Sequence, residues 1–407
     1  MARQRIGIIG GGIGGVALAT CLLQRGFEVR LFERAKGFGE VGAGIQMTPN
    51  AVKVMKALGL LDRMLEAGFL PHALVGRNWR SARGNFRTPL KGVCEQLYDA
   101  PFIHIHRADL HHILAAGIPD SVPRFGVSCT GVQQQKAGAV ATFSDGSAFE
   151  ADLIVGADGV RSAIRSALFG AEEPRFTGHM CYRAVVPVGG LVDFVSPDTS
   201  FWLGPNGHIV TYYVRGGTAV NIVAVAETAN WVEESWNVAT SKDEMLGAFR
   251  GWHRNVETLF QRVDEVYKWG LFDRDPMTQW SKGRVTLLGD AAHPMLPFLS
   301  QGAAMAIEDA YVLAASLAAH GDDITTALSD YERERLPRTS RVQLEARERG
   351  RTYHLPSAFA QARRDFMFWL RGLFNPQTSG IRANWVYEYD ARRFEPTPSD
   401  AARRLVA

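Results

Sequence analysis

The chain has 407 residues, 46% of them hydrophobic and 21% charged, a balance that excludes a disordered or collagen-like polymer and provides for a sizeable core. At roughly 100–200 residues per domain, one small domain is too little for this length. A formal net charge of +3 excludes a strongly basic, nucleic-acid-binding surface. Cys21, Cys94, Cys129 and Cys181 lie far apart and form no CxxC pair, which argues against a disulfide framework or a zinc site and suits a reducing, cytoplasmic compartment.

From Ile6 to Leu23 the sequence carries no charge and follows Arg3 and Arg5, the outline of a signal peptide or a short membrane span. Gly7, Gly10, Gly11, Gly12, Gly14 and Gly15 speak against that reading, since each weakens a helix by about 1 kcal/mol relative to alanine. Periodicity divides the run instead. Arg5–Ile9 reads as a strand, Gly10–Gly15 as a turn, Val16–Arg25 as a helix and, after Gly26, Glu28–Glu33 as a second strand. Gly10, Gly12 and Gly15 have the GxGxxG spacing: the first allows a tight turn, the second lets backbone approach a pyrophosphate, and the third lets helix pack on strand. Free N–H groups at the helix start then face the phosphates. Glu33 closes the second strand where an acid accepts hydrogen bonds from an adenosine ribose, which predicts FAD or NAD rather than NADP; Arg34, beside it, is a further candidate for cofactor contact.

His104, His106, His111 and His112 crowd the next stretch. They show no HExxH spacing, and His111 and His112 point about 100° apart on a helix, so no metal site is expected. Ala151–Gly159 (ADLIVGADG) and Gly283–Pro297 (GRVTLLGDAAHPMLP) are apolar strands that each end in an Asp beside a Gly, and the second leads into a helix from Gln301 to Ala319. Three such turns predict one nucleotide site assembled from the C-terminal ends of several strands.

Between those two motifs, Met180–Val188, Ser200–Leu203, His208–Val214 and Ala219–Glu227 alternate as strands of an antiparallel sheet. On His208–Val214 a period of two puts His208, Val210 and Tyr212 on one face. A His and a Tyr placed so can withdraw a phenolic proton; a half-buried sheet histidine beside a core tyrosine is the plainer reading. Arg183 and Arg215 are candidate partners for a carboxylate, with solvated surface arginines as the alternative. The basic, aromatic tail Arg351–Leu373, with Phe366, Phe368 and Trp369, reads as packing at a domain or homodimer interface rather than on a membrane.

Taken together, the motifs resemble one family. Gly10–Gly15 with Glu33, FGEVGAGI at Phe38–Ile45, HRADLH at His106–His111, GADGVRSAIR at Gly156–Arg165 and LLGDAAHPMLP at Leu287–Pro297 are similar to those of the class A flavoprotein aromatic hydroxylases related to 4-hydroxybenzoate and salicylate hydroxylase. The similarity covers most of the chain and fades after about Gly350. It implies an α/β fold: a Rossmann-like FAD-binding domain (1–72, 98–177 and 272–350), an inserted antiparallel-sheet substrate domain (73–97 and 178–271) and a C-terminal helical segment (351–407). It also implies FAD held without a covalent bond, NADH or NADPH as electron donor, and transfer of one oxygen atom of O2 from a flavin hydroperoxide to an aromatic ring. By the same resemblance Asp158 and Gly159 lie near the pyrophosphate, Asp290 bonds the flavin ribitol and Arg107 contacts the flavin.

The helix start at Gly302 and Ala303 would aim N–H groups at the negative edge of a reduced flavin. Pro294 and Pro297 stiffen the loop before it and leave its carbonyls to face the ring. Gln46 stands where relatives acting on hydroxynicotinate often carry histidine, and Phe298 lies in the loop where some salicylate and hydroxynicotinate relatives carry one. Both make the pocket less basic, which turns the expectation toward a salicylate-like or 3-hydroxybenzoate-like acid, with a hydroxypyridine acid as the alternative. From a different class, a non-catalytic carrier on the same fold would have no need of the intact GD motif at Asp290. A flavin halogenase would need a WxWxIP stretch, which the sequence lacks.

Overall fold

Five short strands form a parallel sheet in the order Val285–Leu287, Leu153–Gly156, Arg5–Ile9, Glu28–Glu33, Pro123–Phe125. This computed structural model describes residues 4–38, 42–190, 195–228, 238–374 and 384–397. Ile6, Ile8, Leu153, Ile154 and Val155 are wholly buried, as residues of a sheet covered on both faces must be. The first helix spans Ile13–Gln24 and so begins earlier than its sequence suggests, with Gly14 and Gly15 inside it. Packing explains this: a Cβ on Gly14 would stand 2.7 Å from Leu288 and 3.1 Å from Ala306, so the missing side chain lets this helix lie directly on the helix Gly302–His320. The uncharged run Ile6–Leu23 is thus spent on a core strand, a turn and a packed helix.

Eight strands form a second sheet, in the order Val238–Thr240, Val266–Asp273, Arg175–Pro187, Ala219–Glu227, Gly207–Val214, Thr199–Gly204, Ala73–Asn78, Gly84–Pro89. Its pairings are antiparallel except one: Thr199–Gly204 runs parallel to Ala73–Asn78, two strands from distant parts of the chain that no hairpin joins. One face of this sheet, with Tyr182, Trp202, Ile209 and Tyr213, packs on the helices Lys242–Ala248 and Arg254–Gln261 through Met245, Phe249 and Phe260. The other face turns Cys181 and Val225 toward Leu296 and Phe298 of the proline loop and Ala346 of the long helix Ile324–Tyr353.

That helix and Gly302–His320 are joined by buried charge. Arg335 reaches Glu308 at 2.6 Å and Asp309 at 2.8 Å, and Arg338 reaches Glu308 at 2.8 Å. Burial alone would push both carboxyls up; Arg338 and Arg335 beside Glu308, and His293 and Arg335 beside Asp309, overcome it and hold both below the usual carboxylate range. The helix Gly302–His320 is long and apolar enough to cross a membrane, yet 67% of its most apolar window is buried, as in the core of a globular fold. The segment around Asn384–Glu388, to which the sequence assigns no role, closes over this region: the buried Lys53 Nζ donates to the carbonyls of Tyr387, Glu388 and Tyr389.

Arg335→Met leaves Glu308 and Asp309 buried with fewer partners. It is expected to lower the unfolding free energy by about 3–5 kcal/mol in a urea titration followed by circular dichroism. A loss of under about 1 kcal/mol would show that other contacts join these helices.

Candidate active site

The three turns named from the sequence converge at the C-terminal edge of the parallel sheet. Gly10 has φ +109°, and a Cβ there would meet the Ala157 carbonyl oxygen at 2.3 Å; one on Gly15 would meet the Gly10 carbonyl oxygen at 1.9 Å. Both glycines therefore hold the turn together. At Gly12 a Cβ would touch nothing within 4 Å, so its open side is a cradle facing out of the protein, and the helix that starts there has no side-chain cap and no acid in its first turn. An anion fits there.

Glu33 accepts hydrogen bonds from the Gly11 N–H (2.7 Å) and the Ala35 N–H (2.8 Å), so its carboxylate braces the turn it was expected to complement. Arg34 follows it, exposed. His111, one of the crowded histidines, is buried and its Nε2 bonds the Gly11 carbonyl at 2.7 Å, a support for the turn that local spacing did not single out.

Asp158 accepts from the Ser162 hydroxyl and from the N–H groups of Ala163 (2.7 Å) and Ile164, and so anchors the start of the helix Ala163–Phe169. Surrounding protein nonetheless pushes its carboxyl up. Gly159, at φ +80° with open space on its Cβ side, is the part of this turn free to meet a ligand. Arg165 ties the second turn to the third by donating to the carbonyls of Ala291 and Ala292.

Asp290 is reached by solvent yet crowded by protein, as a group in a cleft is, and that crowding raises its carboxyl while His293 and Arg107 pull it down. Gly302 lies beside it, with Cβ space 3.9 Å from Asp290 Oδ1, and Gly302 and Ala303 are both half-buried at a helix start that lacks a side-chain cap. Arg107 begins its own helix, its N–H bonded to the Ala43 carbonyl at 3.0 Å. The proline loop differs from its expectation. The Pro294 carbonyl accepts from Gln343 Nε2 (2.9 Å) and the Pro297 carbonyl from the Ser300 N–H (2.9 Å), so neither is left free to face a ring; Pro297 instead starts the turn Pro297–Leu299 that seats Phe298. Of the stretch Phe38–Ile45, residues 39–41 lie outside the described residues.

His208 and Tyr212 share a face of the second sheet, but four residues along a strand span about 13 Å, and the structure does not pair them. His208 Nδ1 bonds His354 Nε2 at 2.6 Å, and its ring contacts Phe298 and Tyr353. The ring of Tyr212 instead stands 4.3 Å from that of His104, whose Nε2 bonds the Thr199 hydroxyl. A Cβ on Gly44 would strike Tyr212 at 2.6 Å, so the GAGI stretch lies flat against this tyrosine, with Gln46 buried two residues on. Burial pushes His104 and His208 down to about 3 and His354 to about 2, and raises the Tyr212 phenol. Sequence reasoning missed His354, and Asn221, whose Oδ1 accepts from the Gly44 N–H at 2.6 Å, because their neighbours come from other elements.

Between His208 and Tyr212 the floor is apolar. Val210 is buried, but Val223, Phe201 and Val185 around it are only partly covered. Arg183 is in register with Val223 across the strands, lies over Trp269 at 4.6 Å, and has a buried Nε without a hydrogen-bond partner among the described residues.

The three turns lie together at one edge of the parallel sheet, where strand ends and helix starts can hold a dinucleotide. That is the plan of an FAD-dependent hydroxylase, and the residues present fit the cofactor. The chain belongs to the FAD binding domain family, whose model matches residues 3–346. It is 42% identical over 364 residues to a 3-amino-4-hydroxybenzoate 2-monooxygenase of Streptomyces platensis, covering 89% of this chain and 92% of that protein. It is 39% identical over 346 residues to a 6-hydroxynicotinate 3-monooxygenase of Pseudomonas fluorescens, covering 83% and 89%. A salicylate hydroxylase substrate complex superposes with a TM-score of 0.79 at 29% identity, covering 100% of this chain and 98% of the other. The protein is a flavoprotein aromatic monooxygenase that uses FAD and NAD(P)H.

Gly12→Ala is expected to leave the fold intact and weaken FAD retention on gel filtration, whereas Gly15→Ala, which must displace the Gly10 carbonyl, is expected to lower the melting temperature even of the FAD-free protein. Equal behaviour of the two would undo this division. The depressed histidines set a second expectation. Unfolded imidazoles take up protons near pH 6.5, while His104, His208 and His354 do so only near pH 2–3 in the fold. Their neutral burial is compatible with stability above about pH 6.5 and costs stability as pH falls below it. Melting temperatures should drop between pH 7 and pH 4, and a flat profile would contradict these environments.

Proposed function

We propose that the protein hydroxylates the ring of a phenolic aromatic acid of the hydroxybenzoate class. The observation that carries this reading is the half-covered apolar floor of Val223, Phe201 and Val185, with His208 at one end, Tyr212 at the other and, at its side, an Arg183 Nε that has no hydrogen-bond partner among the described residues. A benzene ring suits the floor, a carboxylate suits Arg183, and a phenol suits the polar ends. When bound and reduced by NAD(P)H, FAD activates O2: one oxygen atom replaces a ring hydrogen as hydroxyl and the other leaves as water. The chain's own task is to hold the acid and ready its ring.

His208 is neutral at pH 7 and has Nδ1 engaged by His354, so Nε2 is the nitrogen left to accept a hydrogen bond from the phenol and to take its proton as the ring is attacked, when that proton becomes acidic enough for a base burial has weakened. Loss of that proton pushes electron density onto the ring carbon under attack. Tyr212 fixes the opposite end, with Gln46 and Phe298 bounding the pocket. In this reading residues 73–97 and 178–271 carry the substrate and residues 1–72, 98–177 and 272–350 the cofactor. The relatives acting on 3-amino-4-hydroxybenzoate add that acid to the salicylate-like and 3-hydroxybenzoate-like substrates expected from sequence. We assign the exposed Phe359, Phe366, Trp369, Leu373 and Phe374 of the helix Ala358–Phe374 to contact with a second copy of the chain, and the protein to the cytoplasm, where its nicotinamide donor is found. Light scattering at the mass of one chain would overturn the homodimer.

The test is a panel of 3-amino-4-hydroxybenzoate, salicylate, 3- and 4-hydroxybenzoate and 6-hydroxynicotinate, scored by hydroxylated product, since NADH loss alone also follows uncoupled peroxide release. No product from any hydroxybenzoate would sink the reading. His208→Ala is expected to cut the rate of product formation by about 10²-fold or more with FAD reduction little changed. Arg183→Gln is expected to raise KM far more than it lowers kcat.

A further inference from the structure

Behind Phe298 the imidazoles continue beyond what hydroxylation requires. His179 and Glu227 are Cα partners on neighbouring strands, and His354 follows the C-terminal end of the helix Ile324–Tyr353. One nitrogen or oxygen from each lies within 4.8 Å of the others. His354 is 3% exposed, and its Nδ1 has no hydrogen-bond partner among the described residues although Glu227 Oε1 stands 3.6 Å away. That gap is too long for a hydrogen bond. It is close to the separation of about 3.3 Å expected for two ligands bound at about 2.0–2.1 Å to a tetrahedral zinc ion.

The outer nitrogens agree with such a site. His354 Nε2 bonds His208 Nδ1 at 2.6 Å, and His179 Nδ1 bonds the Thr177 hydroxyl at 3.1 Å, so each ring is oriented through the nitrogen that faces away from Glu227 or remains with one nitrogen to offer. Metal-binding imidazoles are held in this way. The helix C-terminus beneath His354 favours a cation. Arg364, a cation that acts on His354, is paired with Asp365 at 2.9 Å. Glu227, 43% exposed, provides the way in.

We propose that His179, Glu227 and His354 form a binding site for a divalent transition-metal ion of the zinc type, with water as the fourth ligand. With Nδ1 on the metal, His354 carries its proton on Nε2 and donates it to His208 Nδ1. His208 then keeps its own proton on Nε2 and cannot accept another from a phenol there. Occupancy therefore silences the base, a consequence that rests on the role proposed above for His208; the site itself does not.

The probe is zinc chloride, added to untagged, FAD-loaded protein and followed by equilibrium dialysis and elemental analysis. One zinc ion per chain is expected, with binding weakened at least about tenfold by Glu227→Gln and by His179→Gln, and unchanged by His112→Ala, which alters an exposed histidine elsewhere. Failure to retain zinc, or retention indifferent to both substitutions, would overturn the site. Zinc that binds as expected and suppresses hydroxylated product, while FAD reduction continues, supports the link to His208. Zinc that binds as expected with product formation unchanged upholds the site and overturns that link.

Discussion

Glu308 and Asp309 can leave water only because Arg335, Arg338, His293 and Asn50 reach them, and this requirement places much of the molecule. Unpaired, each buried carboxylate would cost several kcal/mol. Paired, the two acids fix the helix Gly302–His320 against Ile324–Tyr353. Through His293 they fix the GD turn with Asp290, and through Asn50 and Gln301 they fix the strand and loop that carry Gln46 and Thr48. The start of the helix Gly302–His320 and the segment opposite it are therefore positioned by one buried network. Its members are spread from residue 50 to residue 338, so it can form only when the fold is complete.

The eight-stranded sheet works under a different constraint. Its two faces are given to different partners: large aromatic side chains pack under the helices at Lys242–Ala248 and Arg254–Gln261, while the opposite face is left incompletely covered between His208 and Tyr212. Strand alternation makes this possible, because neighbouring residues of one strand serve the two faces in turn. Tyr213 bonds the Val195 carbonyl on the packed side while Tyr212 lies against Gly44 on the other. The incompletely covered face thus lies on paired strands rather than on loops.

Much of the fold could be read from sequence because its signals are local. A strand, a glycine turn and a helix within about thirty residues define a βαβ unit by themselves, and the alternation in His208–Val214 put His208 and Tyr212 on one face. The parallel pairing of Ala73–Asn78 with Thr199–Gly204 left no such trace, since register between distant strands is set by the assembled sheet. Pro294 and Pro297 were read as stiffening a loop whose carbonyls stay open; the prolines' own carbonyls are taken, by Gln343 from a helix far along the chain and by Ser300 in the next turn. His208 and Tyr212 are similar in kind. Shared face was legible, but the partners that fix each ring, His354 and His104, come from other elements.

By itself the sequence determined the class of protein: glycines at fixed spacing, acids at strand ends and apolar runs between them act through backbone geometry within a few residues, and geometry of that range survives in the order of residues. Only the tertiary structure decided which carboxylates remain for a ligand and which are consumed by the chain. Asp158 and Glu33 look alike as motif acids with Asp290, yet both have nearby N–H donors, while Asp290 stands in the cleft beside Gly302. The difference lies in which donors packing brings within about 3 Å, and that is set by contacts between elements far apart in the chain.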